Sequence, residues 1–121
     1  MPGTVRITRN TRKFIATIAN GASLSDAIDL DGQVIAAIVM PAAFTGTALT
    51  FQASADGVTY QNVYDDAGTE LSASVGQAKV IVNKSILESL AALRYVKIRS
   101  GSAASPTAEA ADRTLTILTK G

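Results

Sequence analysis

The sequence contains no cysteine and no histidine. Without cysteine the chain cannot form a disulfide, a thiolate metal site or a thiol nucleophile. Without histidine it lacks the commonest general base and the commonest metal ligand. Serine with lysine, or a pair of carboxylates, would still permit catalysis, but the two absences together predict a protein that is not an enzyme and that uses no cofactor or metal.

Aromatic residues are also scarce: there are three Phe, three Tyr and no Trp in 121 residues. The hydrophobic share of 47% argues against disorder, and the length suits one domain. Because the apolar residues are mostly Ala, Val, Ile and Leu, we expect a thin core between closely packed sheets. Part of the stability is therefore expected to come from a partner or an oligomer.

Long hydrophobic runs are missing as well. The longest, at residues 34–40, is far shorter than the roughly 20 residues needed to cross a bilayer. The first residues lack the apolar segment of a signal peptide. We expect no membrane partner, synthesis in a cytoplasm, and residence there or inside something assembled there.

The net charge is only +1, but it is unevenly distributed. Four basic residues precede the first acid, Asp26, and they are Arg6, Arg9, Arg12 and Lys13. One interpretation is a basic arm at residues 1–13 that contacts a partner, followed by a domain at 14–121. The other is a solvated edge strand whose charges prevent edge-to-edge aggregation. Nucleic acid is not the expected partner, since its binders are usually more basic and richer in aromatics.

Residues 49–64 give the clearest secondary-structure signal. Apolar and polar residues alternate over 49–54, Asp56-Gly57 favours a tight hairpin turn, and a second strand is predicted at 60–64. Similar patterns predict strands at 4–8, 13–19, 24–30, 33–40, 70–75, 79–83, 95–100 and 113–119. The fold class is therefore all-β, a single-domain antiparallel β-sandwich of the jelly-roll kind. A capping box beginning at Ser85 predicts one short helical turn near 85–92.

Two strands carry an additional expectation. Residues 13–19 are apolar on both faces, which predicts a strand buried on both sides. In the strand at 79–83, Val80 and Val82 share one face. The long loops 41–47 and 101–112 are expected to cluster at the ends of the sandwich.

Only a few polar or aromatic residues are candidates for a binding or catalytic site. Asp26, Asp29 and Asp31 resemble a calcium loop only loosely, and a polar turn is the simpler interpretation. Asp65 and Asp66 are adjacent, so they are expected to cap backbone amides rather than flank one bond. Tyr60 and Tyr64 are predicted to share one side of a strand, where they would anchor a protein interface, stack on a sugar or simply pack under a loop.

Two segments resemble a known family. Residues 51–64, FQASADGVTYQNVY, look like the hairpin of discoidin-like and galactose-binding-like jelly rolls, and residues 94–101, RYVKIRSG, resemble a late strand of those domains. Together with MPAAFTG at 40–46 and AADRTLTIL at 110–118, the chain is similar from residue 33 onward to small structural proteins of tailed phages. The N-terminal basic segment lies outside this resemblance.

The resemblance implies a capsid decoration (cement) protein or head fibre. Its expected partner is the major capsid protein, its location is the exterior of the virion capsid, and its expected state is a homo-oligomer, a dimer or a trimer. Residues 1–13 would then attach the protein to the shell or to its own copy by strand addition. The alternative is a carbohydrate-binding jelly-roll module, free or on a phage fibre, with a host-surface glycan held by loops 41–47, 65–69 and 101–112. A tail or neck component is a third reading.

Overall fold

The computed structural model describes residues 11–82, 90 and 92–121. These residues form nine β-strands, all paired antiparallel, so the all-β prediction is confirmed. Within this part of the chain there is no helix long and apolar enough to cross a membrane. The strands are β1 (Thr11–Ile18), β2 (Ile28–Asp29), β3 (Val34–Val39), β4 (Ala48–Ser54), β5 (Gln61–Asn62), β6 (Ser72–Ser74), β7 (Val80–Ile81), β8 (Tyr95–Ser100) and β9 (Arg113–Lys120).

The strands form two sheets. The first sheet has the order β1-β9-β3-β7, and the second has the order β2-β8-β4-β5, with β6 also pairing with β4. Apart from β4 to β6, successive strands alternate between the sheets, and the first strand pairs with the last along its full length. Two antiparallel sheets arranged in this way form a β-sandwich, as predicted, and the jelly-roll topology stays a prediction.

The core lies between the two sheets because each long strand alternates inward apolar and outward residues. From the first sheet, Ile18, Ile38 and Ile117 are fully buried. From the second sheet, Phe51 and Ile98 are fully buried, and the two residues are paired in register. A bulge between Ile35 and Ala37 in β3 adds one residue, which keeps Ile35 and Ile38 both on the inner side.

The long predicted strands at 33–40, 95–100 and 113–119 are confirmed, whereas those at 24–30, 70–75 and 79–83 shorten to two or three residues. The prediction that 13–19 is buried on both sides is wrong: β1 is an edge strand, and Ile15 is 47% exposed. The predicted strand at 4–8 and most of the helical turn near 85–92 lie outside the described residues.

The hairpin at 49–64 is confirmed, but its turn is not a two-residue one. β5 contains only Gln61–Asn62, and residues 55–60 form the loop. Gly57 has the expected positive φ of 80°. The loop is longer because the Asp56 carboxylate accepts the N–H groups of Val58 and Thr59, which lowers the pKa of Asp56 to about 2. Those amides are therefore not available for a strand ladder.

One buried carboxylate joins the loops 41–47 and 101–112, which confirms that these loops meet at one end of the sandwich. The Glu109 side chain is fully buried. It accepts hydrogen bonds from the N–H of Thr45 at 2.9 Å and of Gly46 at 3.1 Å. It also accepts from Ser100 Oγ at 2.7 Å and from Arg113 Nε at 2.9 Å. A Cβ at Gly46 would collide with Ser100 Oγ, so the loop approaches β8 as closely as glycine allows.

These donors determine the ionisation of Glu109. Burial alone would raise the pKa of the carboxyl, but the hydrogen bonds from Thr45, Ser100, Arg113 and Gly46 outweigh burial and lower the pKa below its usual value. A carboxyl whose pKa is lower in the folded state than in the unfolded state binds fewer protons when folded. It therefore stabilises the fold above its unfolded pKa and loses this contribution as the pH falls through the folded pKa.

We predict that Glu109→Gln lowers the free energy of unfolding at pH 7 by about 2–4 kcal/mol, because it leaves Arg113 without its charged partner. Urea denaturation measures the change. The difference between wild type and Glu109→Gln should shrink as the pH is lowered below about 4.3, the usual value for an unfolded Glu. Asp66→Asn, at an exposed turn, is the control and should change stability by less than about 0.5 kcal/mol. If the difference in unfolding free energy between wild type and Glu109→Gln stays constant down to pH 2, Glu109 does not have the lowered pKa described above.

Candidate functional site

The outer face of the first sheet carries most of the exposed large hydrophobic residues of the described chain. Of the six large hydrophobic residues exposed in the described chain, four lie on this sheet or directly after it: Ile15 (47% exposed), Leu118 (36%), Val80 (57%) and Val82 (69%). The remaining two are Val58, in the loop at 55–60, and Tyr64. We call the outward residues Ile15, Val39, Val80, Val82 and Leu118 the apolar face.

Strand register brings these residues side by side. Ile15 lies opposite Thr116, Thr116 opposite Val39, and Val39 opposite Val80, which makes one row across all four strands. In the next row Lys13 lies opposite Leu118, and Leu118 opposite Ala37. Val82 follows β7 two residues after Val80, so strand alternation directs both side chains outward. Contiguous exposed apolar surface of this kind marks interaction sites in soluble proteins.

Basic residues border the apolar face at one end. Lys13 and Lys120 point outward on β1 and β9, whereas Arg12 lies opposite the inward-facing Thr119 and is exposed on the other side of β1. The predicted partner-binding residues Arg12 and Lys13 therefore belong to an edge strand of the sandwich. Arg6 and Arg9 lie outside the described residues, and the division into an arm at 1–13 and a domain at 14–121 stays a prediction.

The outer face of the second sheet is polar. Arg99 is only 6% exposed, because it donates to Asn62 Oδ1 at 2.6 Å and to Glu70 Oε2 at 3.3 Å. Arg94 forms a bidentate pair with Asp29 at 2.8 and 3.1 Å, which lowers the pKa of Asp29 and raises the pKa of Arg94. The charged groups Arg94 and Arg99 on the outer face of the second sheet therefore already have partners within the chain.

The two predicted tyrosines do not lie on one strand. Tyr60 precedes β5 and stacks with Lys97, whose Nζ lies 4.4 Å from the ring centroid. Tyr64 follows β5, forms an isolated bridge with Glu70, and is 53% exposed. The predicted strand at 60–64 is thus interrupted, and the two rings have separate surroundings.

Tyr64 lines an open cleft of about 550 Å³ between the β4–β5 hairpin and residues 92–94. We call this the Tyr64 cleft. Its polar groups come from Ser54, Gln61, Asn62 and Arg94, and its apolar wall includes Leu93. An aromatic ring beside amide and guanidinium groups can bind a polar ring-shaped ligand. The loops 41–47, 65–69 and 101–112, predicted to bind sugar, contain only one aromatic residue, Phe44, which is buried.

The acidic residues have structural partners. Asp29 and Asp31 both approach Arg94, and Asp26 accepts the N–H of Thr17. Asp65 accepts the N–H groups of Ala67 and Thr69, which confirms its predicted capping of backbone amides. In the described residues there is no group of three or more acidic, histidine or cysteine side chains arranged to hold a metal ion.

Comparisons of this chain with protein-family models, with curated protein sequences and with solved structures each produced no match.

We predict that Val80→Thr combined with Val82→Thr reduces the fluorescence of a bound hydrophobic dye at least about twofold, because it removes the two most exposed residues of the apolar face. Threonine keeps the β-branched shape, so stability should change by less than about 0.5 kcal/mol per site. Val58→Thr is the matched control, since Val58 is 82% exposed but lies in the loop at 55–60. Equal dye loss from the control would show that the apolar face is not a continuous surface.

Proposed function

We propose that this chain is a structural protein of a tailed-phage virion, a decoration protein that binds the outside of the major capsid shell and stabilises it. The observation that carries the proposal is the apolar face: the first sheet exposes the aliphatic side chains of Ile15, Leu118 and Val80 on three of its four strands, with Val82 directly after β7. Such a face is costly to leave in water, and burying it against a larger surface contributes roughly 25 cal/mol per Å² of apolar area.

Two further observations support adhesion rather than turnover. The buried Glu109 carboxylate and the buried Arg99 guanidinium are both fully engaged in hydrogen bonds that join loops and strands. In the described chain, no buried side-chain nitrogen or oxygen lacks a partner. The resemblance of residues 33–121 to small phage structural proteins favours the virion as the setting.

We expect purified protein to coat undecorated capsids assembled from the major capsid protein of the same phage genome. Val80→Thr, Val82→Thr and Leu118→Thr together should lower the affinity about tenfold or more, because three apolar contacts lose methyl groups. Bound copies per capsid are counted by electron microscopy across a concentration series. Val58→Thr should coat like wild type. If wild type does not coat capsids at all, or if the triple variant coats as tightly, the proposal is wrong.

The Tyr64 cleft favours a second candidate, a carbohydrate-binding module on a virion or fibre. Its exposed ring and the amide groups of Gln61 and Asn62 supply the stacking surface and the hydrogen bonds that a sugar uses. The cleft lies on the second sheet and its flanking segment, away from the apolar face, so the two functions can be tested separately.

If this candidate is correct, a glycan array will identify a bound glycan, and Tyr64→Ala will weaken its binding at least about fivefold through loss of the ring face. Tyr60→Ala is the matched control, because Tyr60 stacks on Lys97 and does not line the cleft. Capsid coating by Tyr64→Ala should match that of wild type. A glycan that binds both tyrosine variants equally would exclude the Tyr64 cleft as its site.

A further inference from the structure

Within the part of the chain that the structure describes, the edge of β1 is open for part of its length. β1 pairs with β9 on one side only, because it is the first strand of its sheet. On the other side, Thr17 donates its N–H to Asp26 Oδ1 at 2.9 Å and accepts the N–H of Asp26 at 3.2 Å. The main-chain groups of Thr17 therefore point away from β9, toward the edge.

Alternation extends this orientation along the strand. In an antiparallel strand every second residue directs its N–H and C=O the same way, so Thr11, Lys13 and Ile15 also point to the edge. Among the described residues, only Asp26 hydrogen-bonds to this edge. Thr11, Lys13 and Ile15 thus present main-chain donors and acceptors that have no partner among the described residues, in a short row that ends at Thr17, where Asp26 occupies the edge.

A second copy does not fit this row. Pairing two β1 strands about a two-fold axis at Lys13 or at Arg12 places equal positive charges opposite each other, which is destabilising. Moving the axis to Phe14 places the second copy's Thr11 opposite Thr17, where Asp26 already occupies the edge. The side chains flanking the row, Arg12 and Lys13, are both basic, and Ile15 adds an exposed apolar side chain.

We propose that the β1 edge at Thr11, Lys13 and Ile15 is a strand-addition site for an extended acidic segment of the shell protein. Main-chain hydrogen bonds supply affinity, and carboxylates opposite Arg12 and Lys13 supply selectivity. The inference deepens the proposed function and rests on it for the source of the segment. The edge continues into the apolar face through Ile15, so one partner would contact both.

The test uses two blocked hexapeptides, one alternating valine with glutamate and the other alternating valine with lysine. NMR amide exchange of the full chain should show protection of the N–H groups of Lys13 and Ile15 by the acidic peptide. Binding of the acidic peptide should exceed that of the basic one at least about threefold, from cross-strand charge pairs. No protection by either peptide, or equal protection by both, would overturn the proposal.

Two variants at one position separate hydrogen bonding from charge. Lys13→Pro removes an N–H that points away from β9, so the fold should persist while acidic-peptide binding falls about tenfold or more. Lys13→Gln keeps that N–H and should remove only part of the preference for the acidic peptide, about two- to fivefold. If Lys13→Pro unfolds the chain, Lys13→Gln decides alone, and an unchanged peptide preference counts against the site. Peptide binding without capsid coating would contradict the proposed function but support the site at the β1 edge. Capsid coating without peptide binding would support the proposed function and contradict the edge site.

Discussion

The hydrogen bonds of the buried Glu109 carboxylate are the constraint on which much of this structure depends. They hold the loop that leads into β4, the end of β8 and the beginning of β9 around one charge. β9 is the strand between β1 and β3, so its position sets the register of both neighbours. The rows of the apolar face thus rely on an interaction at the end of the sandwich, where no apolar residue of that face takes part.

The two outer faces show how one sandwich separates two surface chemistries. On the second sheet, charges are paired inside the chain, through Arg99 with Glu70 and Arg94 with Asp29, and the aromatic rings of Tyr60 and Tyr95 lie beside cations. On the first sheet, aliphatic and threonine side chains face outward, and the only charged residue in the two rows described above is Lys13. The polar groups on the outer face of the second sheet therefore have hydrogen-bond partners within the chain or in water. Covering the apolar outer face of the first sheet with another surface lowers the free energy.

The sequence predicts the fold well where strands are long and alternate clearly. β3, β4, β8 and β9 follow directly from their patterns, and the positive φ at Gly57 follows from Asp56-Gly57. Short strands are predicted too long, because capping carboxylates such as Asp56 take the amides that a ladder would use. The alternation of apolar and polar residues describes one strand at a time, so it does not show that capping carboxylates compete with the strand ladder for backbone amides.

The site is harder to predict, for a related reason. Apolar residues on both faces of β1 indicate burial on both sides, and the sequence does not distinguish burial inside the fold from an outward face that awaits a partner. The sequence pattern predicts that Val80 and Val82 share one face, and both are exposed, but which face is outward depends on the pairing of β7 with β3. Glu109 has no sequence signal of its own, since Thr45 lies 64 residues away and Ser100 ends β8, and only the folded chain brings both to the carboxylate.

The bulge in β3 has a consequence for how this strand can vary. Ala36 is the additional residue between Ile35 and Ala37, and removing one alanine there would restore strict alternation, with both isoleucines still directed inward. Elsewhere in β3, loss of a residue would exchange the interior and exterior side chains of everything beyond it. This one position therefore tolerates a change in chain length, and its main effect would be on sheet curvature.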